Sequence, residues 1–309
     1  MFNRLFLFLK GMAMGAADVV PGVSGGTIAL ITGIYATLLD SIRSFTPQLF
    51  GIFKKRGLKG VFNHVNGGFL ITLFAGIFTS ILTLARLITW MLENHPIPLW
   101  SFFFGLILIS VVHLAKQMDE WDIGKGLLLV VGVAFAYLIT VAHPLQLEPT
   151  TFNFFLGGSI AICAMILPGI SGSFILLLLG LYAPVIGAVK GLEISTLSVF
   201  AAGCIVGLLS FSHLLGWLLR HYKDATMAFL IGLMLGTLNK MWPWKEVLSY
   251  RTNSSGEQVP LAEQNLSPFA YEQIVAQPSQ LWLALAACIA GICLVLALER
   301  ISQQTPADS

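Results

Sequence analysis

The sequence predicts an all-α polytopic membrane protein. It reads as two inverted-topology repeats, each a broken or re-entrant helical hairpin plus three spanning helices. Three observations carry that expectation. The 309 residues are 56% hydrophobic and only 10% charged, where a soluble domain carries about 25% charge. The stretch PGVSGGTIALITGIYA at 21–36 returns at 168–183 as PGISGSFILLLLGLYA, with nine identities in sixteen positions. The basic residues cluster, with Lys54, Lys55, Arg56 and Lys59 in one short stretch. That cluster suits a cytoplasmic loop under the positive-inside rule better than a nucleic-acid patch.

The repeat runs beyond the paired loops. At a shift of 127, Ala75, Gly76, Trp90, Phe102 and Gly105 fall on Ala202, Gly203, Trp217, Phe229 and Gly232. The loops themselves are 147 apart, so the first half carries 20 extra residues, which fit the basic stretch at 47–66. The expected halves are residues 1–145 and 146–309. The N-terminus has a charge and an apolar run but lacks a small-x-small cleavage site, so it reads as retained.

Each apolar segment then has a place. Residues 24–44 follow the first loop, and segments near 67–92, 97–118 and 125–142 read as spans. In the second half, 152–167 precedes the loop and 171–189 follows it; 196–219, 226–241 and 281–298 come next. A span needs about 20 residues. The segments before the loops have about 16 apolar residues, or about 24 Å of helix. Half-helices that enter and return, or thin full spans, both fit. Three spans plus a hairpin, or five spans, are both odd counts, so the halves face opposite ways. The basic 47–66 stretch, 116–125, 220–224 and both termini are then expected inside, and 93–98, 143–150 and the long polar loop 242–280 outside. Inverted repeats with broken helices form transporter sites near the midplane.

The loops carry the candidate chemistry. Irregular backbone at membrane depth survives only when buried in protein or lining a cavity. Pro ends one helix, and Ser24 or Ser171 suits the cap of the next. The small residues after it leave backbone N–H groups bare, a geometry that binds anions and phosphate. Within the spans, Arg86 lies deep in 67–92, and the 127 shift lays His213 onto it. An ionisable group there is costly and marks function, and Arg holds phosphate with paired donors. Asp18, whose repeat counterpart is Met165, is open to three roles: carrying a coupling proton, pairing with Arg86, or capping the broken helix. His113 and Glu193 read as interfacial, and Trp90, Trp100, Trp217 and Trp242 as interface anchors. Cys163, Cys204, Cys288 and Cys293 lie in apolar segments with no metal-ligand spacing. No nucleotide-binding loop, zinc motif or catalytic triad stands out. No enzyme activity, cofactor, metal or nucleic-acid partner is therefore expected.

The contexts GAADVVPGVSGGTIALITGIY and AMILPGISGSFILLLLGLY resemble the bacterial polyprenyl-phosphate transporter family, over nearly the whole chain. The resemblance implies translocation of undecaprenyl phosphate between the leaflets of the bacterial cytoplasmic (inner) membrane. The lipid carrier would return from the outer to the inner leaflet for peptidoglycan and other envelope synthesis. The family pattern falls on Pro21, Gly22, Ser24, Gly25, Gly26, Thr27, Gly33 and Tyr35, then on Pro168, Gly169, Ser171, Gly172, Ser173, Gly180 and Tyr182. The expected phosphate site is Ser24, Gly25, Gly26, Thr27, Ser171, Gly172, Ser173 and Arg86. Asp18, His213, Tyr35 and Tyr182 are expected as coupling or accessory groups. Phe174 replaces Thr27 in the second loop, so the loops should contact phosphate unequally. Expected partners are undecaprenyl phosphate and membrane lipid, with protons or sodium as candidate coupling ions and a homo-oligomer left open.

Two alternatives stay in view. A membrane-embedded polyprenyl-pyrophosphate phosphatase carries a similar loop, but it needs Arg where Gly25 and Gly172 stand, and a glutamate cluster in a span. A small-anion transporter would ignore lipid carriers. If both loops form one site, Gly25→Val and Gly172→Val are expected to stop transport in protein that still inserts.

Overall fold

The computed structural model describes residues 2–20, 23–142, 144–252 and 258–304. Helix α1 (Phe2–Val19) leads into the first loop, of which Pro21 and Gly22 lie outside the described residues. Helices α2 (Gly25–Ile31) and α3 (Tyr35–Arg43) follow, then α4 (Gln48–His64), α5 (Gly67–Asn94), α6 (Pro96–Lys116) and α7 (Ile123–Val141). The second half repeats the order with α8 (Thr151–Ile166), α9 (Gly172–Leu178), α10 (Tyr182–Lys190), α11 (Ile194–His221) and α12 (Lys223–Met241). Strands β1 (Lys245–Thr252) and β2 (Gln258–Asn265), the short α13 (Pro268–Ile274) and α14 (Leu281–Gln304) complete it.

Local signals explain the boundaries. Pro stands at the first turn of α6, where its missing N–H is no loss. Asp122 caps α7 by accepting from the Lys125 N–H, and Thr150 caps α8 by accepting from Asn153. The segments after the loops, read as single helices from sequence, are each broken in two. Gly33 and Gly180 both take φ +74°, a left-handed turn that suits glycine. The bends are 117° between α2 and α3 and 111° between α9 and α10.

Two other readings are corrected. The basic 47–66 stretch is helical over α4, broken at Gly57 (φ +63°). Nothing in α4 is buried: Phe50, Phe53 and Leu58 are exposed alongside its lysines. That is the side-chain set of a helix that lies along a membrane surface. The polar 242–280 loop holds an antiparallel hairpin, with Lys245 opposite Asn265 and Val247 opposite Glu263. Among the described residues the other regular elements are helices. By length and composition α5, α6, α7 and α11 can cross a membrane, as can each bent pair taken as one span. Their outward faces carry exposed Leu82, Leu138, Ile205 and other apolar side chains, as lipid contact requires.

The helices pack in matching pairs: α1 along α5 and α8 along α11, then α6 along α14 and α7 along α12. Lipid tails are as apolar as leucine, so close van der Waals approach holds such pairs together. Glycine supplies it. A Cβ at Gly76 would strike the Phe8 carbonyl, and one at Gly203 would strike the Phe155 carbonyl. The same crossing thus recurs at the shifts of 127 and 147. Gly105 meets the Cys288 carbonyl as Gly232 meets that of Leu129. The second correspondence relates α7 to α14 at a shift of 159, which the sequence did not reveal. Helix α12 is the core: Ala228, Leu230, Ile231, Leu233 and Met234 are fully buried.

Gly76→Ala and Gly203→Ala should therefore lower the thermal midpoint of purified protein, because overpacking costs about 1–3 kcal/mol. Gly126→Ala, where a Cβ meets nothing within 4 Å, should leave it unchanged. Equal midpoints for all three would refute the crossing.

Candidate functional site

Helices α1 and α8 stop at Val19 and Ile166 because Pro21 and Pro168 follow. Such a stop leaves last-turn carbonyls without helical partners. The first loop answers those of α8. Ser24 Oγ donates to the Met165 carbonyl at 3.0 Å, and Tyr35 Oη donates to the Ile166 carbonyl at 3.0 Å. Thr27 Oγ1 accepts from the Gly169 N–H at 2.8 Å. The two loops, 147 residues apart in sequence, are therefore joined directly. Ser24, Thr27 and Tyr35 are all buried, so these bonds form out of contact with solvent.

The first loop is also closed on itself. The Gly25 N–H donates to Asp18 Oδ1 at 2.7 Å, and the Gly26 N–H donates to Ser24 Oγ at 3.1 Å. Of its three open roles, Asp18 is placed as a cap on α2, not beside Arg86. The N–H groups expected to be bare for an anion are therefore already taken in this loop.

The second loop is less satisfied. Met165 stands where Asp18 stands in the first, and no described side chain accepts from the Gly172 or Ser173 N–H. Ser171 does not cap α9; its hydroxyl shares a 2.8 Å hydrogen bond with Ser173 Oγ. Beside them lies a cavity of about 10 Å³, lined by Gly169, Ser171, Phe174, Thr140, Thr237 and Lys240 among others. That is room for about one water. Lys240, in the last turn of α12, has its ammonium 5.7 Å from the centre of the Phe174 ring. Thr27 and Phe174 thus differ in role: one binds the other loop, and one faces a lysine.

Arg86 and His213 are exposed and have no described contact with the loops. The packed stripe of α5 runs through Leu70, Leu73, Gly76, Ser80, Leu84 and Ile88. Arg86 lies two residues from both Leu84 and Ile88, about 200° round the helix. Its side chain leaves the bundle on the opposite face, which corrects its expected place as counter-charge to the loops. His213 Nδ1 bonds the Leu209 carbonyl of its own helix at 2.7 Å. Tyr182, half-buried beside Leu181, makes no described hydrogen bond, unlike Tyr35. Sequence reasoning passed over Lys240 and Thr237. The available signal was the 127 shift, which lays Lys240 on His113, a residue read only as interfacial.

The geometry revises the glycine expectation. A Cβ on Gly172 would stand 2.6 Å from the Ala161 carbonyl, a backbone atom, whereas one on Gly25 would stand 2.6 Å from Asp18 Oδ2, which can swing aside. Gly172→Ala should therefore lower the thermal midpoint more than Gly25→Ala, and valine at 172 should impair folding itself. The reverse order would contradict the packing. Thr27→Val keeps shape but strands the buried Gly169 N–H, at about 1–3 kcal/mol. Thr27→Ser should restore most of that loss in a denaturation series.

The family model described as undecaprenyl phosphate translocase-like matches residues 14–259. A Vibrio cholerae protein named polyprenyl-phosphate transporter is 63% identical over 302 residues, 98% of each chain. A Staphylococcus aureus protein of the same name is 34% identical over 253 residues, 76% of this chain and 85% of the other. No solved structure matches. A match over most of the length, through both paired loops, means that the chain belongs to the undecaprenyl phosphate translocase-like family.

Proposed function

We propose that this protein moves undecaprenyl phosphate between the leaflets of the bacterial cytoplasmic membrane, returning it from the outer to the inner leaflet. The recovered carrier would serve peptidoglycan and other envelope synthesis. The observation that carries the proposal is the direct junction of the two Pro-Gly-x-Ser-Gly loops, with Thr27 on Gly169 and Ser24 on Met165. Broken helices that meet inside an apolar bundle make a polar point where a headgroup can cross, while the isoprenoid tail stays in lipid. The names of the Vibrio cholerae and Staphylococcus aureus relatives supply the lipid class.

The phosphate seat is proposed at the second loop, against Ser171, Ser173 and the Gly172 backbone, because the first loop's donors are engaged. The halves 1–145 and 146–309 are proposed to be inverted in the membrane, a reading supported by the odd span counts expected from the sequence. Hydrolysis is disfavoured by Gly25 and Gly172, which stand where a phosphatase loop needs arginine.

Leaflet-resolved translocation of labelled undecaprenyl phosphate in proteoliposomes, with and without proton or sodium gradients, tests the proposal. The expected result is transport above protein-free vesicles and no phosphate release from lipid pyrophosphate. Transport equal to empty vesicles rejects it. Ser171→Ala with Ser173→Ala should slow transport without moving the thermal midpoint, each hydroxyl contributing about 0.5–1.5 kcal/mol. In a cysteine-free background, single cysteines at 54–59 and at 250–265 should label from opposite sides of the membrane. Labelling from one side would overturn the inversion.

A further inference from the structure

Three charged side chains that the family pattern leaves unused meet beside the second loop. Glu263 Oε2 accepts from Lys240 Nζ at 2.6 Å and lies 3.5 Å from Lys245 Nζ. Lys245 also donates to the Lys240 carbonyl at 2.8 Å and stands 4.3 Å over the Trp100 ring. Its side chain is 8% exposed and that of Glu263 is 20% exposed. Among the described residues two ammonium groups face one carboxylate, an excess of one positive charge. A half-buried pair of lysines is expensive to keep unless something negative holds it.

Position makes this cluster more than a surface ion pair. Lys240 lines the cavity that Ser171, Thr140 and Thr237 share. Three hydroxyls and an ammonium thus border a space now too small for a phosphate; Thr140 and Thr237 donate to the Tyr137 and Met234 carbonyls, and among the described residues Ser171 is paired only with Ser173. The carboxylate that draws the Lys240 ammonium away comes from β2, outside the helical bundle. The base of the hairpin is pinned: the Trp242 indole N–H donates to the Leu266 carbonyl at 2.7 Å, and Asn265 Nδ2 donates to the Asn239 carbonyl at 2.8 Å. Glu263 can therefore leave by turning its own side chain toward solvent, with the strands in place. Burial pushes the Lys245 ammonium down to about 8. Burial also works against the Glu263 carboxylate, yet Lys245 and Lys240 hold its carboxyl below the usual range.

We infer that Lys240 and Lys245 form a binding pair for a phosphate monoester, and that Glu263 is an internal stand-in anion which the incoming headgroup displaces. The inference rests on the reading that a phosphorylated lipid is the cargo, and it adds the counter-charge that Arg86 does not supply. A dianionic monoester offers more charge and more acceptor oxygens than a carboxylate, so it can take both ammonium groups and the Ser171 hydroxyl together. Once the site is vacated, Glu263 re-forms its bonds and again offsets part of the lysine pair's charge. The exchange is one of hydrogen-bond partners, with no covalent step.

Binding of a fluorescent polyprenyl phosphate to the purified full-length protein tests the inference, with inorganic phosphate and polyprenol as competitors. Glu263→Gln removes the competing charge and keeps the shape, so it should bind the probe about tenfold more tightly. Lys240→Gln should bind at least about tenfold more weakly. A purely structural ion pair predicts the opposite for Glu263→Gln: unchanged or weaker binding with a lower thermal midpoint, and either binding result overturns the inference. Should Glu263→Gln fail to purify folded, Glu263→Asp, too short to hold both lysines, is expected to tighten binding in the same assay. Wild-type affinity from it refutes the stand-in role. Displacement by polyprenol as effective as by polyprenyl phosphate would mean that the tail alone is bound, and would also refute it. Inorganic phosphate binding as tightly as the lipid would assign the pair to free phosphate and overturn the lipid headgroup. A wild-type protein that binds no polyprenyl phosphate at all rejects the proposed cargo, a failure distinct from an unaltered Glu263→Gln.

Discussion

Every break in a helix within an apolar bundle leaves backbone groups that lipid cannot satisfy, and this constraint organises the protein. Pro21 and Pro168 end α1 and α8, and the carbonyls freed in α8 are answered by side chains of the other half. Ser24 and Tyr35 are the hydroxyls that do this, Thr27 accepts from the Gly169 N–H beside them, and all three are buried. Removing any one would strand a polar group at a depth where water cannot replace it. The junction therefore welds the halves together and also brings two irregular loops to one point. Stability and the candidate site arise from the same bonds.

The frame around that junction is repeated, yet the site it holds is not. The glycine crossing at Gly76 recurs at Gly203, and that at Gly105 recurs at Gly232. Such crossings need only a small residue and tolerate little change, so both copies have kept them. The loops have diverged. Asp18 caps the first, while Met165 cannot cap the second. Thr27 reaches across to Gly169, while Phe174 lies beneath the Lys240 ammonium. One loop has become the tie, and the other holds a Ser171–Ser173 hydroxyl pair beside a lysine, bonded only to each other among the described residues.

The hairpin of β1 and β2 adds what the helices lack. Helix interiors in a membrane carry few charges, because each is costly there. Lys240 sits at the last turn of α12, where a charge can still reach polar surroundings, and the hairpin brings Glu263 to it. Trp242 and Trp244 fasten the hairpin and the segment after it by their indole N–H groups, to Leu266 and Ser279. Two aromatic rings thereby hold the hairpin whose carboxylate pairs with Lys240.

The sequence by itself determined the class and the likeness of the two loops, because hydropathy and a stretch with nine identities in sixteen positions are local, one-dimensional signals. It also marked Ser24 as a cap and Thr27 as the point where the loops differ. It misplaced Arg86, since depth in a span is legible from position but the face of the helix is set by which neighbours pack against it. It merged α2 with α3 and α9 with α10, because Gly33 and Gly180 are compatible with a continuing helix until the turn is seen. The correspondence of α7 with α14 lies in carbonyl contacts, Leu129 on Gly232 and Cys288 on Gly105, with Gly132 and Gly291 meeting the Phe229 and Phe102 carbonyls in turn, and a single shared glycine is too little identity to stand out in apolar sequence. Which donors stay free, and which lysines share a carboxylate across 23 residues of chain, only the tertiary structure decided. Hydrogen bonds between distant segments depend on how helices cross, and no spacing in the chain encodes that directly.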